Sequence, residues 1–185
     1  IQNNDKIGVI FFSDKVEKYI PPQKGRKHIL YIIRELLTFT PQGKKTDISE
    51  ALEFMMKIQR RQCAAFVISD FIDRHDLTDK LKIAGHRYDL NAIEVYDIRM
   101  KELTDIGIVE FRDAETGHIE YVDTSSKRVR NQHRSAWQER EHTLHLQFTK
   151  AGVRNVAIPT DGNYVKKLMQ LFNSKTAGIS SKGNV

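Results

Sequence analysis

The first apolar run, Ile7-Gly8-Val9-Ile10-Phe11-Phe12, is hydrophobic at successive positions. Such a strand needs cover on both faces and predicts a parallel sheet sandwiched between helices. VEKYI (16–20) alternates as a short strand ended by Pro21-Pro22. HILYIIRELL (28–37) is apolar at helical spacing, with Arg34 and Glu35 facing out. The loop TFTPQGKK carries Pro41 and Gly43 before ISEALEFMMKIQ, where Ile48, Leu52, Met55 and Met56 recur at three- and four-residue steps and predict a second helix. CAAFVISDF (63–71) is another continuous apolar run, DLTDKLKIAGHR (76–87) is helical in pattern, and DLNAIEVYD (89–97) is a strand with a charged end. Strands alternating with helices in this way argue for an α/β fold with a mostly parallel, doubly wound sheet and helices on both faces.

After residue 100 the rhythm changes. IVEFRDAETGHIEYVDT places two alternating segments around Ala114-Glu115-Thr116-Gly117, which predicts an added β-hairpin. Residues 125–151 form a long polar helix with a sparse apolar stripe of Val129, Ala136, Trp137, Leu144, Phe148 and Ala151. Its other face is basic near the start, with Lys127, Arg128, Arg130 and Arg134. A last strand-helix unit, NVAIPT and YVKKLMQLF, closes a domain over 1–173. SKTAGISSKGNV (174–185) has the composition of a flexible tail.

Composition changes this picture little. A chain of 185 residues, 39% hydrophobic and 29% charged, buries one sizeable core. The net charge of +6 favours contact with acidic surfaces but falls short of the dense basic stripe of a dedicated nucleic-acid binder. The one cysteine, Cys63, excludes an internal disulfide and reads as a small buried thiol. The apolar stretches are shorter than the roughly 20 residues of a membrane helix. The expected setting is a reducing, cytoplasmic one. The chain opens without Met and enters a strand within a few residues, so it reads as a fragment whose first strand lacks an upstream partner.

In open α/β sheets ligands gather beyond the carboxyl ends of the strands. The residues there are Ser13 and Asp14, Asp70 and Asp73, and Asp97, with Thr46-Asp47 at the start of a helix on the same rim. Oxygen ligands of this kind suit a hard cation such as Mg2+ or Ca2+. Asp47 with Glu50 also has the spacing of a capping box, so the pair serves as a helix start in its own right.

NNDKIGVIFFSDKVEKYIPPQKGRKHILYIIRELL, then KTDISEAL, FVISDF, RYDLNAIEVYDIRMKELTDIG, DAETG and VDTSSKRVR span most of the chain. In this order they resemble the bacterial domain-of-unknown-function fifty-eight family. Proteins of that family are similar to von Willebrand factor A domains, which implies a Rossmann-like sheet and a metal-ion-dependent adhesion site. That site takes an Asp-x-Ser-x-Ser motif after the first strand, a loop Thr, and an Asp ending the fourth strand. By this resemblance Thr46 matches the loop threonine and Asp70 the strand-ending aspartate, while the first motif and the central strand carrying it would precede residue 1. Lys45 stands before Thr46, and Phe71 after Asp70, where the superfamily often has Gly. Asp123-Thr124-Ser125-Ser126 imitates the missing motif, but its fifth position is Lys127 and it follows a hairpin. The resemblance therefore implies a partial metal site, Thr46 and Asp70, expected to be empty in this chain, with Mg2+ or another divalent cation as the cofactor of a full-length protein. It also implies strands at 6–13 and 63–70 that have lost a shared neighbour. These either pair directly, leave a gap filled by water, or borrow a strand from a second copy to form a dimer.

Other motifs carry less. His142 and His145 lie three apart on a helix but lack a third zinc ligand. PPQKGRKH has a single Gly and makes no phosphate loop. Ser13 lacks the setting of a nucleophile elbow. Three functions follow. The first is a non-enzymatic protein-interaction module, for which the resemblance implies a MoxR-type AAA+ ATPase as partner. The second is a nucleic-acid-binding domain using Arg26, Lys27, Arg60, Arg61 and the 127–134 cluster, against which stands the lack of interleaved aromatic residues. The third is a metal-dependent hydrolase, which needs a complete metal site and a nucleophile.

Overall fold

The short turn at Ser13–Lys15, where Ser13 N–H donates to the Lys15 carbonyl at 2.8 Å, folds the first apolar run back on itself. β1 (Ile7–Phe12) consequently pairs antiparallel with β2 (Val16–Gln23) in a two-stranded sheet. The computed structural model describes residues 5–73, 75–113 and 116–179, the last six of these by backbone alone. It divides into two compact units, one of Ile1–Arg60 with Asp73–His75 and Ala114–Thr116, the other of Arg61–Ile72, Asp76–Asp113 and Gly117–Val185.

In the first unit β1 departs from the parallel, doubly covered strand that its sequence suggests. A connection of three residues suffices for a hairpin, whereas a parallel partner needs a crossover of a dozen or more. No β1 residue is fully buried. β2 also runs through Pro21-Pro22 to Gln23; an edge strand tolerates the lost donors. α1 (Arg26–Thr38) follows, then α2 (Ile48–Ile58), whose Ile48 and Leu52 are buried and whose Phe54 meets the Tyr19 ring edge-on at 5.8 Å. Glu35, expected to face out, instead pairs with Lys18 of β2. The apolar residues Leu30, Ile33, Leu36 and Leu37 of the same helix are exposed.

The second unit begins with β3 (Ala64–Ser69), α3 (Thr78–Arg87) and β4 (Asp89–Tyr96). After them come α4 (Ile98–Lys101), β5 (Ile108–Arg112), β6 (Ile119–Asp123), α5 (Lys127–Ala151), β7 (Arg154–Pro159) and α6 (Tyr164–Ile179). β3, β4 and β7 form a parallel sheet in that order, while β5 and β6 are the expected hairpin, whose turn residues 114 and 115 lie outside the described residues. This is a mixed α/β fold. β4 is central and buried from Leu90 to Glu94. β3 is an edge strand: Ala65 and Val67 turn inward, but Phe66 and Ile68 stay 43% and 60% exposed. The second face of the apolar run of β3 is only partly covered, with Phe66 meeting the Phe172 ring of α6 at 6.0 Å.

Helix α6 supplies Leu168 and Leu171 against Val95, Ile93, Val156 and Ile158. α3 and α5 pack together, burying Leu81 and Ala84 with Leu144 and Phe148. The stripe read along α5 is buried at Trp137, Leu144, Phe148 and Ala151, whereas Ala136 faces solvent. α5 stops at Gly152, whose φ of 67° lets its N–H reach back to the carbonyls of Phe148 and Thr149. Cys63 is half-buried, and burial pushes its thiol pKa up. Among the described residues no helix is long and apolar enough to cross a membrane.

Candidate functional site

In the first unit three loops gather around the start of α2. Asp47 is its N-cap: the carboxylate accepts from Glu50 N–H at 3.0 Å, as the sequence predicts. The reciprocal half of a capping box is absent, because Asp47 N–H donates to the Ser13 carbonyl at 2.9 Å. Asp73 adds a second acceptor, taking Ile48 N–H at 3.0 Å on one oxygen and His75 N–H at 2.9 Å on the other. The His75 Nδ1 lies 2.8 Å from that second oxygen, and the Asp73 side chain is 1% exposed. Ligand atoms of Asp47, Asp73 and His75 all lie within 4.8 Å of one another.

Beside them Glu17 is anchored through one oxygen, which accepts from Ser13 Oγ and Gly43 N–H, each at 2.7 Å, and from Gln42 N–H at 3.0 Å. The Gly43 and Ser13 bonds hold its carboxyl below the usual range. Gly43 leaves room for the side chains of Ser13 and Asp14. A Cβ would fall 2.1 Å from Asp14 Oδ1 and 2.2 Å from Ser13 Oγ.

In the second unit the carboxyl ends of β3 and β4 are organised differently. Asp70 is exposed and caps Ile72 N–H at 3.1 Å. The next residue, Phe71, adopts a left-handed φ of 53°. That conformation is unusual for an aromatic residue and is held by its surroundings. Phe71 N–H donates to Ser69 Oγ at 3.1 Å, and its ring packs edge-on against Phe148 at 5.1 Å. Arg140 of α5 donates to the Asp70 carbonyl, pairs with Glu94 of β4 at 3.0 Å, and stacks 4.8 Å from the Trp137 ring. Burial raises the Glu94 pKa more strongly than Arg140 lowers it. Lys101 pairs with Glu141 at 2.7 Å nearby.

Thr46 is half-buried in the first unit, on the loop that leads into Asp47, while Asp70 belongs to the second unit. Asp47 combines a capping role with membership of the candidate cluster. Asp73 joins it as one of the rim residues legible in the sequence. His75 was not legible as a partner, because its spacing from Asp47 says nothing about which loop folds over the helix start. Glu94 and Arg140 were missed for the same reason, although a lone charge in an apolar strand, as in NAIEVY, is a signal. Asp97 caps α4 and pairs with Arg99 at 2.7 Å. Asp123 takes both the N–H and the hydroxyl of Ser125, so the motif imitation is a turn into α5. His142 and His145 are exposed. In the basic cluster of α5, Arg130 is engaged by Asp105 at 3.1 Å and by the Thr124 and Ser125 carbonyls.

Two carboxylates and an imidazole form a mixed oxygen and nitrogen donor set, which suits Mn2+ or Zn2+ as well as the hard cations expected from oxygen alone. An ion here must compete with His75 Nδ1 for Asp73, so the present arrangement fits a metal in part.

The parallel sheet β3-β4-β7 with its helices defines an α/β protein. The chain belongs to the family described as Protein of unknown function DUF58, which matches residues 1–143. An uncharacterized protein of Mycobacterium tuberculosis is 30% identical over 117 residues, 62% of this chain and 37% of that protein. An uncharacterized protein of Mycobacterium avium is 27% identical over 161 residues, 86% of this chain and 95% of that one. The match thus spans 37% of the length of the Mycobacterium tuberculosis relative. Among solved structures, the conserved hypothetical protein BatB of Bacteroides thetaiotaomicron has a TM-score of 0.55 at 17% identity, covering 95% of this chain and 80% of that one. An aerotolerance-related membrane protein of Bacteroides fragilis has a TM-score of 0.57 at 16% identity, covering 92% and 80%. At these identities the likeness is one of fold.

Proposed function

We propose that this chain is a non-enzymatic protein-interaction module of the von Willebrand factor A kind, an adaptor for a MoxR-type AAA+ ATPase. The observation that carries the reading is the Asp70–Phe71 corner. A strained, left-handed aromatic residue is locked by Phe148, its preceding carbonyl is clamped by Arg140, and the Asp70 carboxylate is left exposed. Fixing backbone around an exposed charge lowers the ordering cost of binding, and strain of this kind concentrates at functional positions. The ATPase as partner rests on the family resemblance. By the same resemblance Thr46 and Asp70 are the contact residues, with Mg2+ or a similar cation as the cofactor of the full-length protein. The test is co-purification of the full-length protein with the ATPase across a salt series, with and without Mg2+. A complex that survives high salt supports an adaptor; absence of any complex counts against it.

One observation favours a second reading, metal-dependent hydrolysis: the Asp47, Asp73 and His75 cluster. A phosphatase and esterase screen with Mg2+ and Mn2+ separates the two. Activity abolished by Asp73→Asn would replace the adaptor assignment.

A further inference from the structure

In the second unit the β5–β6 hairpin is a two-stranded sheet to which no described strand adds. A ribbon of that kind is marginal unless something packs on it. Strand alternation and the register Glu110↔Tyr121 put Ile108, Glu110, Ile119 and Tyr121 on one face, and the Tyr121 hydroxyl donates to Glu110 at 3.2 Å across it. That face is bare. Ile108 is 74% and Tyr121 69% exposed, whereas Val109 and Val122 on the opposite face are half-buried. Further exposed apolar residues stand at the approach to the hairpin: Ile106, and Ile98 and Met100 of α4. An exposed apolar surface of this extent marks an interaction site.

Charge divides the region in two. From Glu102 to Asp123 seven residues are acidic and one, Arg112, is basic, although the whole chain carries +6. The start of α5 follows at once and reverses the sign with Lys127, Arg128, Arg130 and Arg134. The segment ahead of β5 is strapped to the beginning of that helix: His133 Nε2 lies 2.7 Å from the Met100 carbonyl, Arg130 pairs with Asp105 at 3.1 Å, and Ile106 N–H donates to Thr124 Oγ1 at 3.1 Å. Arg130 is thereby satisfied within the chain. Among the described residues the side chains of Lys127, Arg128 and Arg134 have no ion pair or hydrogen bond, and neither do those of Glu102 and Glu120. A surface with an acidic half and a basic half is complementary to itself under a two-fold rotation. The exposed apolar residues supply the desolvated part of such a contact, and lysine and arginine stems cover rings and aliphatic side chains while their charges meet carboxylates.

We propose that the chain associates with a second copy of itself here, the bare face of β5–β6 in each copy packing against the basic start of α5 in the other. Both complementary charge sets belong to one sequence, which selects a second copy over a foreign partner. The contact uses none of Thr46, Asp70 or the Asp47, Asp73 and His75 cluster, so it is independent of the adaptor reading.

Sedimentation equilibrium of the full chain at low and high salt tests it. A dimer is expected whose dissociation constant rises with salt, and Ile108→Ser with Tyr121→Ser should weaken it by about tenfold or more. Charge reversal reads the pairing itself. Glu110→Lys on the hairpin and Lys127→Glu with Arg134→Glu on the helix should each weaken the dimer. An equimolar mixture of the two variants should restore association, because every hairpin then meets a helix start of opposite sign. All five replaced residues are exposed, and an unchanged circular dichroism spectrum verifies folding of the variants. A monomer at every concentration, a dimer indifferent to the substitutions, or a mixture that fails to recover would overturn the assignment. A monomer that binds oligolysine on the hairpin would also overturn it, in favour of a foreign basic partner.

Discussion

The two units handle buried or half-buried carboxylates in opposite ways. In the first, Glu17, Asp47 and Asp73 are held chiefly by backbone N–H groups and a serine hydroxyl. In the second, Glu94 is held by the Arg140 guanidinium. Backbone donors satisfy an oxygen without cancelling its charge, so the first rim keeps a negative field that a cation or a basic partner can use. A guanidinium cancels the charge as it bonds, so the second network fixes geometry and leaves Asp70 as the exposed group. Burial and hydrogen bonding thus produce a charged surface in one unit and a rigid corner in the other.

The largest break in this comparison is Arg140→Met. Glu94, with a side chain 10% exposed, would lose its partner and the Asp70 carbonyl its clamp, at a cost of about 3 kcal/mol in denaturant unfolding. A loss below about 1 kcal/mol would mean that water replaces the guanidinium. Next is Gly43→Ala, which drives a methyl group into Ser13 and Asp14 and opens the N–H cradle of Glu17. Overpacking of this kind costs about 2 kcal/mol, measurable as a fall in Tm. Asp47→Ala removes one cap bond and should cost about 1 kcal/mol.

The smallest effect is a pH dependence. Because burial raises the Glu94 pKa, its ionisation favours the unfolded chain. Its contribution is greatest below the ordinary carboxylate range and is lost as pH rises through the raised value. Glu17 has the reverse sign: its pKa is lowered, so its contribution is present above the ordinary carboxylate value and is lost as pH falls through the depressed one. Glu94→Gln should compare least favourably with the parent below the ordinary carboxylate range and more favourably as pH rises through the raised Glu94 value. Unfolding curves of both proteins across that range check the sign.

Much of the second unit was legible from periodicity. The β4 run, the long α5 helix and the β5–β6 hairpin each carry a local pattern that tertiary packing reinforces. Partner choice was not legible. Ile7–Phe12 reads as a doubly covered strand because hydrophobicity reports the need for burial without saying what supplies it, and the short Ser13–Lys15 turn decides the pairing instead. In α1, Glu35 looks outward by helical spacing until Lys18 of β2 draws it in. At the candidate site the cap of Asp47 is a local matter and was readable. The approach of Asp73 and His75 depends on a loop distant in sequence and was not. Phe71 has a left-handed φ, a conformational demand that a glycine would meet without strain and that its sequence position does not announce.

The adaptor assignment is tested most directly by calorimetric titration of the full-length protein with the MoxR-type ATPase, comparing wild type with Thr46→Ala and Asp70→Ala. A salt-tolerant complex weakened by about tenfold or more in each variant is the expected result. Unchanged affinity in both variants would contradict the placement of the contact at Thr46 and Asp70, and failure of the wild type to bind would contradict the assignment itself.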